Sequence, residues 1–352
     1  MSIILFLAGI SALIIGIKKD KTIYSILFIF SISVLLYYNT FNPDYIDYKY
    51  SYNNIETTLD WFEFGFTTLI FLFNYLSISY NLFIAIIYFI LLSCISWICN
   101  KNDVNSSTLL LFYLIYPLFI DMVQIRHFIA SMLFFVSMIF LSKNNTVLSL
   151  LIFALATTMH SITWFMLPIY FMKFDKKLLI TTISLFISFS YIVLLLLTPF
   201  NSEVFPLLLT RLGLMRYIPY FNTKMDLGIL LFLTVALISF AYSNFVGKTL
   251  STISLKSNNT YGYRLGNTIS KLSVLVLFYT PLLLINSNFL RIIRFSILFY
   301  VFGTLYYFYR YRNKQSKLLM LYTVVYIGFL FIMFLGSNFN YIILPFFRDT
   351  GL

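Results

Sequence analysis

Residues 80–99 read YNLFIAIIYFILLSCISWIC, twenty positions without a charged side chain. The hydrocarbon core of a bilayer is about 30 Å thick and takes roughly 20 apolar residues per helical crossing, so this stretch alone predicts a transmembrane helix. The residues before it, 64–75, read FGFTTLIFLFNY. They are as apolar but too short to cross, and predict an interfacial or re-entrant helix. Further apolar runs cover 2–17, 22–41, 106–120, 128–141, 147–171, 178–197, 227–246, 272–284, 295–309 and 318–335. The fold class expected is all-α: one polytopic integral membrane domain over residues 1–352, with about ten to twelve transmembrane helices, one or two of them broken or re-entrant.

Composition agrees. Apolar side chains make up 61% and charged ones 10%, with a mean hydropathy of +0.90, against roughly one-quarter charged in soluble domains. A soluble globular enzyme is excluded. The net charge of +12, from 24 Lys and Arg against 12 Asp and Glu, would suggest nucleic acid as a partner in a soluble chain. Here the basic residues lie in short clusters between apolar runs, the pattern that orients a protein in a membrane, and no nucleic-acid partner is expected. Cys94 and Cys99 share one apolar run and read as small core residues. The run 2–17 has no basic segment before it and no small-x-small cleavage site, and reads as a retained first span.

Sidedness can be tested by parity. Placing Lys18/Lys19/Lys21, Lys101, Lys143, Lys173/Lys176/Lys177, Lys248/Lys256/Arg264/Lys271 and Arg310/Arg312/Lys314/Lys317 in the cytoplasm puts 16 basic residues inside and 8 outside. The acids divide 3 inside to 9 outside. This parity requires 64–99 to cross an odd number of times, with 80–99 as the true span. It also requires 147–171 to leave and return within about 25 residues, too few for two crossings. That run must be broken, with its turn near Met159-His160-Ser161. Backbone broken at membrane depth is tolerated only beside protein or a water-filled cavity, so a functional cavity is expected near His160. Outer loops are expected at about 42–63, 198–226, 285–294 and 336–352.

The outer basic residues run against the orientation rule and need a reason. Six of the eight are arginine, whereas the inner set is 13 lysines to 3 arginines. Arginine presents a planar fork that grips phosphate or carboxylate through two bonds. Arg126, in IDMVQIRH, is an ionisable group at the joint of two apolar runs; an ion pair with Asp121 is its structural alternative. Arg291 and Arg294, three apart, share a helix face, and Arg211 and Arg216 join Tyr217 and Tyr220 in a basic, aromatic patch. Asp44 and Glu63 are candidates for a general base or for holding sugar hydroxyls and Asp47 for binding substrate, with Tyr48 able to stack on a sugar face. His160 at the proposed break and His127 beside Arg126 are the chain's two histidines. Phosphate-binding loops, dinucleotide turns, HExxH, GxSxG and cysteine metal clusters are all missing, so neither cofactor nor metal is expected. A reaction here needs a substrate activated elsewhere, and a lipid diphosphate brings its own leaving group.

The order Asp44-Tyr45-x-x-Tyr48, Glu63-x-Gly65, Ile125-Arg126-x-x-x-Ala130, Met159-His160-Ser161, Arg216-Tyr217-x-x-Tyr220, Arg291-Ile-Ile-Arg294-Phe and the 341–347 segment resembles the EpsG-like and Wzy-type polymerases of bacterial exopolysaccharide, capsule and O-antigen. One departure is His127, where such proteins often carry Gln. The resemblance implies a GT-C-like architecture in the bacterial cytoplasmic membrane with an outward-facing site. It implies a polymerase that joins undecaprenyl-diphosphate-linked oligosaccharide repeat units, in contact with membrane lipids, a flippase and a chain-length regulator. Arg126, Arg216 and Arg291 would then clamp the diphosphate. Asp44 is the first choice for the base, with Glu63 and His160 as alternatives, while Tyr48 and Tyr217 position sugars. A flippase for the same lipid and a polysaccharide ligase are the competing readings. The first is disfavoured by the lack of repeated halves and by charges gathered on one face.

Overall fold

The computed structural model describes residues 2–40, 42–55, 62–172, 210–211, 227–284, 287–335 and 339–348. Of the described residues 88% are helical, and none of them lies in a strand. Six helices are long and apolar enough to cross a membrane by length and composition: α1 (Ser2–Lys19), α5 (Tyr80–Lys101), α8 (Ile125–Ser142), α10 (Leu227–Lys256), α12 (Leu290–Tyr311) and α13 (Lys314–Leu335). Shorter apolar helices are α2 (Thr22–Tyr38), α4 (Phe64–Tyr75), α6 (Ser106–Ile115), α9 (Thr146–Met159) and the 3-10 helix Ser161–Tyr170. Also present are α3 (Tyr45–Asn53), α7 (Leu118–Val123), α11 (Thr260–Tyr279) and α14 (Leu344–Arg348). The expected span at 80–99 and the short helix at 64–75 are both present as helices. The chain groups into two units, Met1–Trp164 with Leu298–Leu352, and Phe165–Ile297.

In the first unit small polar residues let α1, α2 and α6 approach closely, as membrane helices do where lipid offers no hydrophobic drive to associate. Ser25 Oγ lies 2.8 Å from both Ser106 Oγ and Ser107 Oγ. Asn105 and Asn145 cap α6 and α9 by accepting from Thr108 N and Leu148 N. At one end of the unit Asn105 donates to Asp20 (2.7 Å), Asn100 to Thr22 (2.8 Å), and Arg310 lies 3.9 Å from Asp103. Lys143 sits near enough to Lys101 that its ammonium is depressed, by burial first and by that charge second. The basic clusters at 18–21, 101, 143 and 310–312 therefore share this end, around a polar cavity of about 360 Å³ lined by Asp20, Thr22, Asn100, Asp103, Asn105 and Tyr309, among others. Ser2, Phe6, Phe119, Phe346 and Phe347 meet elsewhere in the same unit.

Four expectations are corrected. The run 106–120 is two helices, because Pro117 has no N–H and pushes Tyr116 into extended backbone (φ −161°, ψ 129°), ending α6 at Ile115. The outer segment 42–63 contains α3, whose Tyr45, Tyr48 and Tyr52 fall on one helical face. Tyr45 donates to Asn81 (2.7 Å) and Tyr52 to Ile78 O (2.6 Å), so that face is fastened to the rest of the unit. Loops 285–294 and 336–352 likewise carry helix: α12 begins at Leu290, and a π-turn (Phe339–Ile343) leads into α14, which buries Phe346. Finally, the basic stretch 247–271 is helical, with Arg264 and Lys271 inside α11.

That last correction defines the second unit. α10 and α11 form a hairpin turned at Ser257–Asn259, and Asn259 caps α11 by accepting from Gly262 N at 3.0 Å. A Cβ at Gly266 would stand 2.6 Å from Ser251 N and 2.7 Å from Gly247 O, so the two backbones touch where glycine and serine alternate. Among residues 173–226, only Thr210 and Arg211 are described, so the expected span 178–197 and most of loop 198–226 lie outside the described residues.

Candidate functional site

α7 ends and α8 begins at Gln124, whose backbone (φ −108°, ψ 67°) is not helical. The break places Arg126 and His127 in the first turn of α8 and turns Asp121 away from Arg126. Arg126 instead pairs with Glu63: Nη1 donates to Oε2 at 2.7 Å, with the side chains 21% and 20% exposed. Its Nε donates to Tyr48 Oη at 3.1 Å, and the guanidinium lies over the rings of Phe62 (4.6 Å) and Tyr48 (5.8 Å). Those two rings stack, 5.5 Å apart at 18°, giving the cation an aromatic seat. Among the described residues no acceptor is found for Nη2.

The other oxygen of Glu63 closes the broken helix. α9 stops at Met159, His160 is extended (φ −155°, ψ 119°), and a 3-10 helix containing Pro168 resumes at Ser161. The break falls where the parity of the sequence demanded it. Its backbone groups are satisfied: His160 O accepts from Thr163 Oγ1 (2.7 Å), and Ser161 N donates to Glu63 Oε1 (2.9 Å). Ser161 Oγ (2.9 Å) and His160 Nδ1 (3.2 Å) reach the same oxygen. Glycine makes this approach possible, since a Cβ on Gly65 would stand 2.6 Å from Thr158 Cβ and 2.9 Å from Thr158 O. The Glu63-x-Gly65 motif is thus one device: the glycine seats α4 on α9 and the glutamate bridges to the break.

The electrostatics follow. Burial by itself would raise the Glu63 carboxyl, but the hydrogen bond from His160, the Arg126 charge and the Ser161 amide outweigh it and hold the group well below the usual carboxylate range. Glu63 is therefore ionised at neutral pH, a poor proton acceptor but a strong orienting group. An ionised carboxylate only accepts, so His160 Nδ1 must donate to it, and a neutral ring then carries its lone pair on Nε2. A carboxylate-oriented imidazole with this tautomer is equipped to take a proton, and Arg126 to hold an anion. Among the described residues no three His, Cys, Asp or Glu side chains gather as a metal site.

The EpsG family model matches residues 22–347. The chain belongs to the EpsG family. No curated protein and no solved structure matches it. Membership supports a polymerase-like role in polysaccharide biosynthesis, and the apolar helices mark a membrane protein.

Within this EpsG chain the structure brings Tyr48, Glu63, Arg126 and His160 together. Asp44, half-exposed, is one helical turn from Tyr48, whose amide it accepts at 3.1 Å; Asp47 is exposed on the same helix. Arg291 and Arg294 occupy the first turns of α12, half-buried and buried. Arg211 is exposed. Arg216, Tyr217 and Tyr220 lie outside the described residues. Two members of the cluster were missed as site residues, Phe62 and Ser161. Each directly neighbours a named one, but neither carries a spacing signal of its own.

Proposed function

We propose that this EpsG-family chain is a membrane glycosyltransferase that polymerises lipid-diphosphate-linked oligosaccharide repeat units, a Wzy-type reaction on an undecaprenyl carrier at the outer face of the cytoplasmic membrane. The further crossings and GT-C-like architecture implied by the resemblance belong to the same proposal. One observation carries it: the Arg126–Glu63–His160–Ser161 cluster, assembled at a broken membrane helix from three separate elements.

In the reaction proposed, an acceptor sugar hydroxyl attacks the anomeric carbon of the donor glycan as the bond from that carbon to the diphosphate oxygen breaks. The hydroxyl proton passes to Nε2 of His160, whose orientation Glu63 fixes, and the departing diphosphate takes up negative charge facing Arg126 Nη2. Geometry supports His160 as the base better than Asp44. Asp44 and Tyr48 are then assigned to the acceptor sugar. The charge that develops is stabilised by groups already in place, Arg126 for the diphosphate and Glu63 for the imidazolium, and each of them is screened less where water is scarce.

The test is a deletion strain complemented by wild type, Arg126→Ala or His160→Ala, with surface glycan run on a gel. Single lipid-linked repeats are expected from both variants and from the deletion. Full-length polymer from both variants would overturn the assignment, and loss of every outward-facing repeat would indicate a flippase.

A further inference from the structure

Three helices of the first unit, α1, α5 and α12, stop in the same way. Just past each lies a residue in the left-handed region, Asp20 (φ 50°), Asp103 (φ 57°) and Arg312 (φ 46°). Glycine is the usual residue at such a stop, yet all three positions carry charge. The same three residues line the polar cavity of about 360 Å³, a volume in the range of pockets that hold small ligands. Its buried lining residues are Val104 and Asn105, and Asn105 donates to Asp20 Oδ1 at 2.7 Å.

Around that base the hydrogen bonding is open. Asn100 donates to Thr22, but no described group donates to Asn100 Oδ1 or to Asp20 Oδ2. The Asp103 carboxylate meets Arg310 at 3.9 Å, whereas no described acceptor is within hydrogen-bond reach of the Arg312 guanidinium. Two acceptors and a forked cation therefore face one space. Lys18, Lys19, Lys21, Lys101, Arg310 and Lys314 stand within two residues of the lining, so the field over it is positive. The ligand that suits it is an anion carrying hydroxyl donors.

Depth selects the source of that ligand. α1 has 18 residues and α12 has 22, about 27–33 Å of helix, which matches a hydrocarbon core about 30 Å thick. The lining sits at the last turn of these helices or just past it, at the level of lipid headgroups. We infer that this cavity binds the headgroup of an anionic phospholipid whose phosphate carries a free glycerol, as in phosphatidylglycerol. The phosphate meets Arg312 and the flanking lysines, and the glycerol hydroxyls donate to Asp20 Oδ2 and Asn100 Oδ1. Water can serve each of these groups singly. One headgroup instead joins the ends of α1, α5 and α12, and stabilises the folded chain by mass action. The site is independent of the glycosyltransferase reading, since no residue of the Arg126 cluster lines it.

The test is thermal unfolding of the full chain in phosphatidylcholine nanodiscs containing rising fractions of phosphatidylglycerol, phosphatidylmethanol or phosphatidylethanolamine. Phosphatidylmethanol has the same charge without the hydroxyls, so it isolates the glycerol. The unfolding temperature is expected to rise by several degrees with phosphatidylglycerol, at about one-fifth of the fraction at which phosphatidylmethanol gives the same rise, and to stay flat with phosphatidylethanolamine. Arg312→Gln is expected to need about fivefold more phosphatidylglycerol, the part of a charge-assisted bond that survives in an open site. Asp20→Asn keeps an acceptor for Asn105 and suits left-handed backbone; it is expected to bring the two anionic lipids within about twofold of each other. Equal wild-type responses to phosphatidylglycerol and phosphatidylmethanol would reduce the effect to charge and overturn the inference. So would an equal response to phosphatidylethanolamine. Soluble glycerol phosphate acting as well as the lipid at matched concentration would make the ligand a soluble ester and overturn the lipid. A wild-type response in either variant would remove the site from this cavity, and where neither variant accumulates the wild-type lipid series decides.

Discussion

Replacing Glu63 by Gln takes one negative charge from a carboxylate that four donors reach, from Arg126, His160 and both the amide and hydroxyl of Ser161. The amide has a single oxygen. Turned toward the helix break it keeps three of the four bonds and sets its NH2 against Arg126 Nη1, donor against donor. The loss is one charge-assisted hydrogen bond, about 1.5–3 kcal/mol in general. With both side chains about one-fifth exposed, solvent reduces this, and about 2 kcal/mol of stability is expected. The effect on rate is larger, because the neutral amide no longer supports positive charge on His160 as it takes a proton. General-base assistance contributes roughly 10²–10⁴-fold, so a drop of about a hundredfold or more is expected. The assay is polymer chain length and rate in membranes matched for protein content, beside thermal unfolding in detergent. If Glu63→Gln is destabilised yet polymerises within about twofold of wild type, the cluster is only a structural tie and the base assignment is refuted.

Arg126→Lys keeps the charge but loses the fork and the flat face over Phe62; at least a tenfold loss in kcat/KM is expected from the same assay, and wild-type behaviour would show that charge alone suffices. Glu63 has a folded pKa held below its unfolded value. Its contribution to stability is therefore fully present above the ordinary carboxylate range and lost only as pH falls beneath it. A rate profile carried down to about pH 4 should show no limb belonging to Glu63, and a limb near pH 4.5 assigned to Glu63 would contradict the geometry. Gly65→Ala drives a methyl into Thr158 and should displace Glu63 from the break, cutting activity tenfold or more without changing a reacting group. Gly266→Ala should lower thermal stability by about 1–3 kcal/mol because backbone lies 2.6 Å from the new methyl, while Gly328→Ala, with nothing within 4 Å, should be neutral or slightly stabilising.

Sequence reading worked where a signal is local or a count must close. The span at 80–99 needs only its own composition. The break at His160 came from bookkeeping of sides, because a chain that must return within a short run has to bend somewhere. Pairing was hidden for the opposite reason. Glu63 and Arg126 are 63 residues apart, and no spacing rule joins them, so Asp121, merely near in sequence, stood as the alternative. Pro117 in the run 106–120 was a legible stop outweighed by hydropathy. In 42–63 Tyr48 was read as a group that stacks on a sugar, yet its hydroxyl accepts from Arg126 Nε, while Tyr45 and Tyr52 on the same face hold α3 by hydrogen bonds. The basic residues of 248–271 fell between two apolar runs because hydropathy stops where charge begins, whereas long cationic side chains reach water from a helix surface and the helices run on through them.

A ribosome makes this chain from the amino end, so Glu63 emerges almost a hundred residues before the Ser161 amide that it receives. Within a bilayer an uncapped backbone break is strongly disfavoured, and the 147–171 segment has no acid of its own to quiet it. The broken helix can settle only once α4 is already in place. Assembly of the cluster is thereby coupled to insertion order: a chain that inserts wrongly near Glu63 leaves the later segment without a stable home and becomes a substrate for membrane quality control rather than a slow enzyme.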